Sequence, residues 1–331
     1  MGMPICYHRN WCWFWDAIAK SHLKRVSGYS EGKDGKELMG QDLGQMPKRR
    51  LFRRRSFGIW TLLILFFLAL GLPVYAYKIE PYWLEVKTVP LVLPHLQPEF
   101  DGYRIVQLSD VHVVDQMPQP FLEKVIDQTN RQQPDLVVIT GDIVTASPRR
   151  YASRIEAAFK TFEAPTVAVL GNHDYWSDPE AVQQILQNSN VEPLRNQVYT
   201  VHRNQAQLHI AGVDDVWAGA ADLDQVMAQL PKTGAAILLA HEPDFADTAV
   251  TTHRFDLELS GHAHGGQVAI PFVGAPVLPP HGKRYPIGQY QIEDLIQYTN
   301  RGIGMVSPRV RFGSRPEITV FQLSAPAEQQ S

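Results

Sequence analysis

Arg104-Ile105-Val106-Gln107-Leu108-Ser109-Asp110-Val111-His112 decides the fold. A short apolar run rich in β-branched residues reads as a strand buried on both faces, and this one ends on a carboxylate and an imidazole. The same design recurs along the chain. Residues 136–139 precede Gly141-Asp142, residues 166–170 precede Gly171-Asn172-His173-Asp174, residues 236–239 precede His241, and Gly261-His262-Ala263-His264 completes the series. Between the first three runs lie helical patterns over 121–132 and 150–162. A third spans 178–187, with Asp178 as N-cap and Pro179 at the first helical position. The order is βαβαβ, which places the polar side chains at the carboxyl ends of parallel strands, the usual crevice for a site.

Those side chains offer carboxylate oxygen, amide oxygen and imidazole nitrogen, with no thiolate. Hard or borderline divalent cations accept this donor set, and in this number it suits two of them. A single histidine after a strand is an ordinary surface or core residue, but five in one ordered pattern are a constellation. The other seven, His8, His22, His95, His202, His209, His253 and His281, belong to no such spacing. Only His281 opens a basic run, His281-Gly282-Lys283-Arg284-Tyr285.

The order D-x-H, G-D, G-N-H-D, H, G-H-x-H resembles the calcineurin-like metallophosphoesterase superfamily over roughly residues 100 to 323. Gly212–Gly219 (GVDDVWAG), 261–268 (GHAHGGQV), 283–285 and 298–304 (YTNRGIG) resemble its bacterial membrane-associated phosphodiesterase subgroup, with members linked to UDP-diacylglucosamine cleavage. The resemblance implies an α-β-β-α four-layer sandwich. It places one metal on Asp110, His112 and His264, the other on Asn172, His241 and His262, and Asp142 between them. A hydroxide held by the two ions would attack phosphorus. His173 would be the general acid at the leaving-group oxygen, with Asp174 holding its ring. Mn²⁺ leads as the metal, with Zn²⁺, Fe²⁺ and Co²⁺ open. Thr145 stands where the purple acid phosphatases carry tyrosine, which removes the reason to expect ferric iron. Val113 and Asp174 stand where the protein phosphatases carry Gly and Glu.

Substrate contacts are expected downstream. Lys283 and Arg284 form the clustered positive charge beyond the apolar amino-terminal run, and Arg301 is framed by glycine in Asn300-Arg301-Gly302-Ile303-Gly304. Each has a plain alternative, a solvated loop or a turn. Residues 270–280 form an apolar, proline-rich loop that cannot be a regular helix or central strand. It suits acyl chains or a bilayer surface, or else it packs over the core edge. Trp217 reads as core or cover.

Six of the eight residues from Lys48 to Arg55 are basic, and an uncharged run rich in Leu, Phe and Ile follows from Ser56 to Tyr77. About 20 such residues span a bilayer core. The positive-inside bias predicts an extracytoplasmic catalytic domain on an uncleaved anchor, with a signal cleaved near Ala76 as the alternative. Arg54-Arg55-Ser56-Phe57 partly resembles a twin-arginine export signal. An outside site conflicts with a UDP-linked substrate, which is cytoplasmic, so either topology or substrate differs from that of the relatives. Residues 1–45, with Trp11, Trp13, Trp15, Cys6 and Cys12, fit a flexible tail or a start of translation at Met46.

Residues 77–331 contain no cysteine and carry 19 Lys+Arg against 29 Asp+Glu. No disulfide framework and no thiol nucleophile are available, and an acidic domain is a poor partner for nucleic acid. Strand-like runs at 207–211, 256–259, 295–298 and 318–321 predict a second sheet, within one metallophosphoesterase domain over 78–331. The function expected is a phosphodiesterase or diphosphatase for a lipid- or nucleotide-linked phosphate ester. The alternatives are a broad phosphomonoesterase and a non-catalytic scaffold of the same fold. Oligomeric state is not legible.

Overall fold

The apolar runs of the first half become neighbouring strands of one sheet. The structure, a computed structural model, describes residues 48–327, so the tail and the start at Met46 lie outside the described residues. The first sheet contains β1 (Glu85–Val92), β2 (Arg104–Leu108), β3 (Leu136–Thr140), β4 (Thr166–Val169), β5 (Val191–Pro193) and β12 (Glu317–Ser324), in the order β1-β12-β2-β3-β4-β5. β2 through β5 run parallel. The second sheet contains β6 (Gln197–Arg203), β7 (Ala206–Gly212), β8 (Ala235–Leu239), β9 (Leu257–Ser260), β10 (Gly288–Ile292) and β11 (Leu295–Thr299), in the order β10-β11-β9-β8-β7-β6.

One expectation fails. The run at 318–321 does not join the second sheet. It is the centre of β12, antiparallel to β2 and parallel to β1. Its inward side chains Phe321 and Leu323 belong to the apolar cluster shared by the two sheets, together with Val138, Val169, Ile237 and Leu259. A second cluster joins the other face of the first sheet to helices Gln119–Asn130, Pro148–Phe159 and Pro179–Asn188. The third joins Ala236 and Leu238 of β8 to Val226 and Ala249 of helices Leu223–Gln229 and Ala246–Ala249.

At the Pro179–Asn188 helix the predicted cap is present: the Asp178 carboxylate accepts the Ala181 N–H at 3.0 Å. At the amino end, helix Lys48–Val74 continues as a π-helical turn, Tyr75–Ile79, and a 3-10 turn, Glu80–Tyr82. Its apolar side chains, among them Trp60, Leu62, Phe66 and Leu70, face outward. Among the described residues it is the one helix long and apolar enough to cross a membrane. Its end is fixed to the domain: Arg311 N–H donates to the Ala76 carbonyl at 3.0 Å, and the Tyr75 ring meets Phe312 edge-on.

Candidate metal centre

The carboxyl ends of β2, β3 and β4 in one sheet, and of β8 and β9 in the other, converge on a single cluster. Asp110 and His112 follow β2, Asp142 follows β3, Asn172 follows β4, His241 follows β8, and His262 and His264 follow β9. All seven side chains are buried. Asp110, His112, Asp142, His262 and His264 have φ between 49° and 65°, the left-handed region that non-glycine residues seldom occupy. Such strain persists only where surrounding contacts over-determine it, which is typical of functional sites. The intervening glycines are sterically required at two points. A Cβ on Gly171 would lie 2.8 Å from His241 Nε2 and overlap Asp142, and one on Gly261 would overlap Ser109 and Asp110.

Asp142 is central. Its Oδ2 lies 3.4 Å from His112 Nε2 and 3.3 Å from His241 Nε2. Its Oδ1 accepts the backbone N–H of His173 at 2.8 Å. On one side, Asp110 Oδ1 lies 3.2 Å from His264 Nε2, which is 3.1 Å from His112 Nε2. On the other, His262 Nδ1 is 3.3 Å from His241 Nε2. His241 Nδ1 is 2.7 Å from the Thr140 carbonyl and His262 Nε2 is 2.8 Å from that of Pro280. A carbonyl only accepts, so each of these rings keeps a proton on the carbonyl side and turns its other nitrogen inward.

Burial pushes the imidazoles of His112 and His262 below the usual histidine range, toward the neutral form that a ligand must have. Burial would raise the carboxyls of Asp110 and Asp142. Neighbouring imidazoles, His264 for the first and His241 for the second, more than offset it and hold both below the usual range. Against its own desolvation, the Asp142 carboxylate in turn lifts His241 well above the usual histidine range.

The donor set fits divalent cations. Asp110, His112 and His264 form one group with converging ligand atoms, and Asp110, Asp142 and His241 form another. Asn172 Oδ1 is buried with no hydrogen-bond partner, which is costly for an amide oxygen unless a cation takes it.

Other predicted residues are placed differently. Asp174 does not reach the His173 ring. Its buried carboxylate accepts the N–H groups of Ile143, Val144 and Gly171 at 3.0–3.1 Å, tying the loop after β3 to the loop after β4. Burial and the nearby Asp142 push the Asp174 carboxyl up to about 7 against those three donors. The His173 ring instead turns Nδ1 toward the Thr145 carbonyl, 3.3 Å away. Arg301 is also turned from the role expected of it: its guanidinium pairs with Glu317 and, at 2.9 Å, with Glu85. Arg284 pairs with Asp247, and Lys283 is exposed, its backbone N–H held by Asp244.

Two features differ from the sequence reading, which singles out neither Arg311 nor Trp176 and reads Trp217 as core or cover. Arg311, fully buried, donates to the carbonyls of Arg301, Gly302, Gly304 and Ser314, bracing the loop after β11. Trp176 and Trp217, both partly exposed, meet edge-on at 4.9 Å and link the His173 ring to those of His262 and His281. The Trp217 N–H is fixed by Glu242, so this aromatic rim is held in place.

Residues 103–266 match the calcineurin-like phosphoesterase family. The chain is 36% identical over 267 residues to the uncharacterized metallophosphoesterase YkuE of Bacillus subtilis, covering 76% of this chain and 89% of that one. It is 30% identical to phosphodiesterase YaeI of Escherichia coli over 75% of this chain and 92% of that one. To UDP-2,3-diacylglucosamine pyrophosphatase LpxG of Chlamydia trachomatis it is 28% identical, over 75% and 92%. A cluster of two carboxylates, four imidazoles and an orphaned amide oxygen at the strand ends agrees with that kinship, and the chain belongs to the calcineurin-like phosphoesterase family as a metal-dependent phosphoester hydrolase.

Proposed function

We propose that this protein is a two-metal phosphodiesterase or diphosphatase acting on a lipid- or nucleotide-linked phosphate ester. The observation that carries the reading is Asp142 Oδ2, placed between His112 and His241 and within 3.4 Å of each. Asp110, His112 and His264 would hold one ion, Asn172, His241 and His262 the other, with Asp142 shared. When bound, two such ions, Mn²⁺ first among the candidates, supply Lewis acidity that polarises phosphoryl oxygens and acidifies water.

The remaining work falls to the chain. His173 is set by its own backbone N–H on Asp142 and by Thr145 on Nδ1, so that the imidazolium form of the ring has its Nε2–H free to give a proton to the leaving-group oxygen. Trp176 and Trp217 flank that position and suit a bulky leaving group. Lys283, exposed beyond the rim, is the downstream cation available to a second phosphate, whereas Arg284 and Arg301 are engaged by carboxylates. A lipid-linked substrate is supported by the apolar helix beside the domain and by kinship to an enzyme named for a diacylglucosamine pyrophosphate. The charge bias of Lys48–Arg55 favours an extracytoplasmic site, which a reporter fused after Ser331 tests by the side on which it is active.

The deciding assay uses the purified full chain, stripped of metal, resupplied with Mn²⁺ and given a chromogenic phosphodiester and the matching monoester. Preference for the diester is expected; preference for the monoester would favour a scavenging phosphatase. His173→Ala should retain the metals and lower kcat by roughly 10²–10⁴-fold, the range of general acid catalysis. Turnover by neither protein, with two metals bound, would point to a scaffold.

A further inference from the structure

Among the described residues, nothing covers the apolar side chains of the loop that follows His264. Residues 268–280 carry no charged side chain, and Ile270, Phe272, Val273 and Val277 are exposed, Phe272 completely. Exposed apolar clusters of this kind mark a contact surface. Turn chemistry does not explain the choice of residue: Phe272 has φ 66°, a conformation in which glycine or asparagine would be relaxed. The backbone is prepared as well. Ile270 and Gly274 exchange both backbone hydrogen bonds, Val273 N–H donates to the Ile270 carbonyl, and Pro271, Pro276, Pro279 and Pro280 have no N–H to desolvate. Fewer unpaired donors lower the cost of leaving water.

The position of the loop identifies the medium. Ala269 N–H donates to the Phe312 carbonyl and Phe312 N–H to the Gln267 carbonyl, so Phe312 forms the base of the loop. The ring of the same Phe312 meets Tyr75 at the end of the apolar helix, 6.1 Å between centroids, and Arg311 beside it is bonded to Ala76. The loop therefore springs from the level at which the helix leaves its apolar stretch. Tyr77 and Trp83, half exposed there, with Arg315 stacked 4.4 Å over the Trp83 ring, have the composition of a membrane interface.

We propose that the Ile270–Val277 loop is a second membrane contact, inserting Phe272 and Val273 into the leaflet at which the helix emerges and holding the metal centre against the lipid surface. This requires that the helix spans the bilayer, and it is independent of the reaction catalysed.

The test places single cysteines in the full chain with Cys6→Ser and Cys12→Ser, at Phe272→Cys, Val273→Cys, Leu63→Cys and Glu163→Cys. Each is labelled with bimane and reconstituted in phosphatidylethanolamine and phosphatidylglycerol vesicles containing acyl-chain nitroxide lipid. Labels at 272 and 273 should lose emission to the nitroxide and resist aqueous iodide, as at 63, while the label at 163 behaves oppositely. Val273→Cys keeps Phe272 in place, so its label reads insertion even if Phe272→Cys weakens it. Quenching at 63 with iodide access at both loop positions would overturn the loop contact alone. Iodide access at 63 would overturn the membrane span and the loop proposal with it. A blue shift at 272 and 273 without nitroxide quenching would assign the loop to a protein contact and overturn the proposal.

Discussion

His262 turns Nδ1 to within 3.3 Å of Nε2 of His241, while the far nitrogen of each ring already faces a carbonyl. Without a cation that gap is closed by a proton, because, against desolvation, Asp142 lifts His241 well above the usual histidine range, and a divalent ion takes the proton's place. Divalent metal should therefore stabilise the fold strongly. At a hundredfold excess over Kd the gain is about 2.7 kcal/mol, roughly 5–10 °C in Tm for a domain of this size. Calorimetry of the chelated protein before and after adding Mn²⁺ or Zn²⁺ measures it, and His262→Ala should reduce the shift. A Tm indifferent to every divalent ion would remove the basis for the proposed centre.

Trp217 contributes a ring 5.7 Å from that of His262 and 4.9 Å from that of Trp176. If the pair holds the leaving group, Trp217→Ala should raise KM for an aryl phosphodiester by roughly 3–10-fold, the worth of one aromatic contact, with kcat little changed. A lowered Tm with unaltered KM would make the rim a cover for the core.

Arg301 was expected at the substrate and lies between Glu317 and Glu85 instead. Removing one partner of a largely buried ion pair costs about 3–5 kcal/mol because the other charges are left unpaired. Arg301→Ala should accordingly lower the denaturation midpoint and leave KM intact. A raised KM at unchanged stability would return Arg301 to the substrate.

Asp215 lies buried beside Glu242, and burial followed by that like charge pushes its carboxyl up to about 8. Glu242 in turn holds the N–H groups of Val216 and Trp217. An acid whose folded pKa is raised binds its proton more tightly when folded. Its contribution is fully present below the ordinary 3.8 and is lost as pH rises through about 8. Asp215→Asn cannot ionise, so its Tm should fall less than that of the unsubstituted protein across that interval. Parallel pH profiles for the two would show that the pair shares no proton.

The parallel strands and the site were legible because both are written in local sequence. Each buried strand is a short, largely apolar run, and each candidate ligand sits two to four residues beyond its end. What failed to show was pairing over distance. Residues 318–321 read as a strand, but nothing local tells that it inserts between β1 and β2 instead of joining the later strands. β1, β6 and β10 are edges with partly exposed faces, and β1 contains Pro90, so none presents an unbroken apolar run. Asp174 and Arg311 were misread or missed for a common reason: each satisfies backbone groups of other loops, and such partners leave no motif.

Asp142 holds His173 by its backbone N–H and not by its ring. Any residue but proline at position 173 keeps that bond, so the side chain there is exchangeable without dismantling the clamp beneath it. If His173 serves the leaving group as proposed, proton delivery and metal affinity become separate evolutionary variables. A descendant of this chain can change its proton donor by substituting a single half-buried ring, with the buried cluster passed on intact.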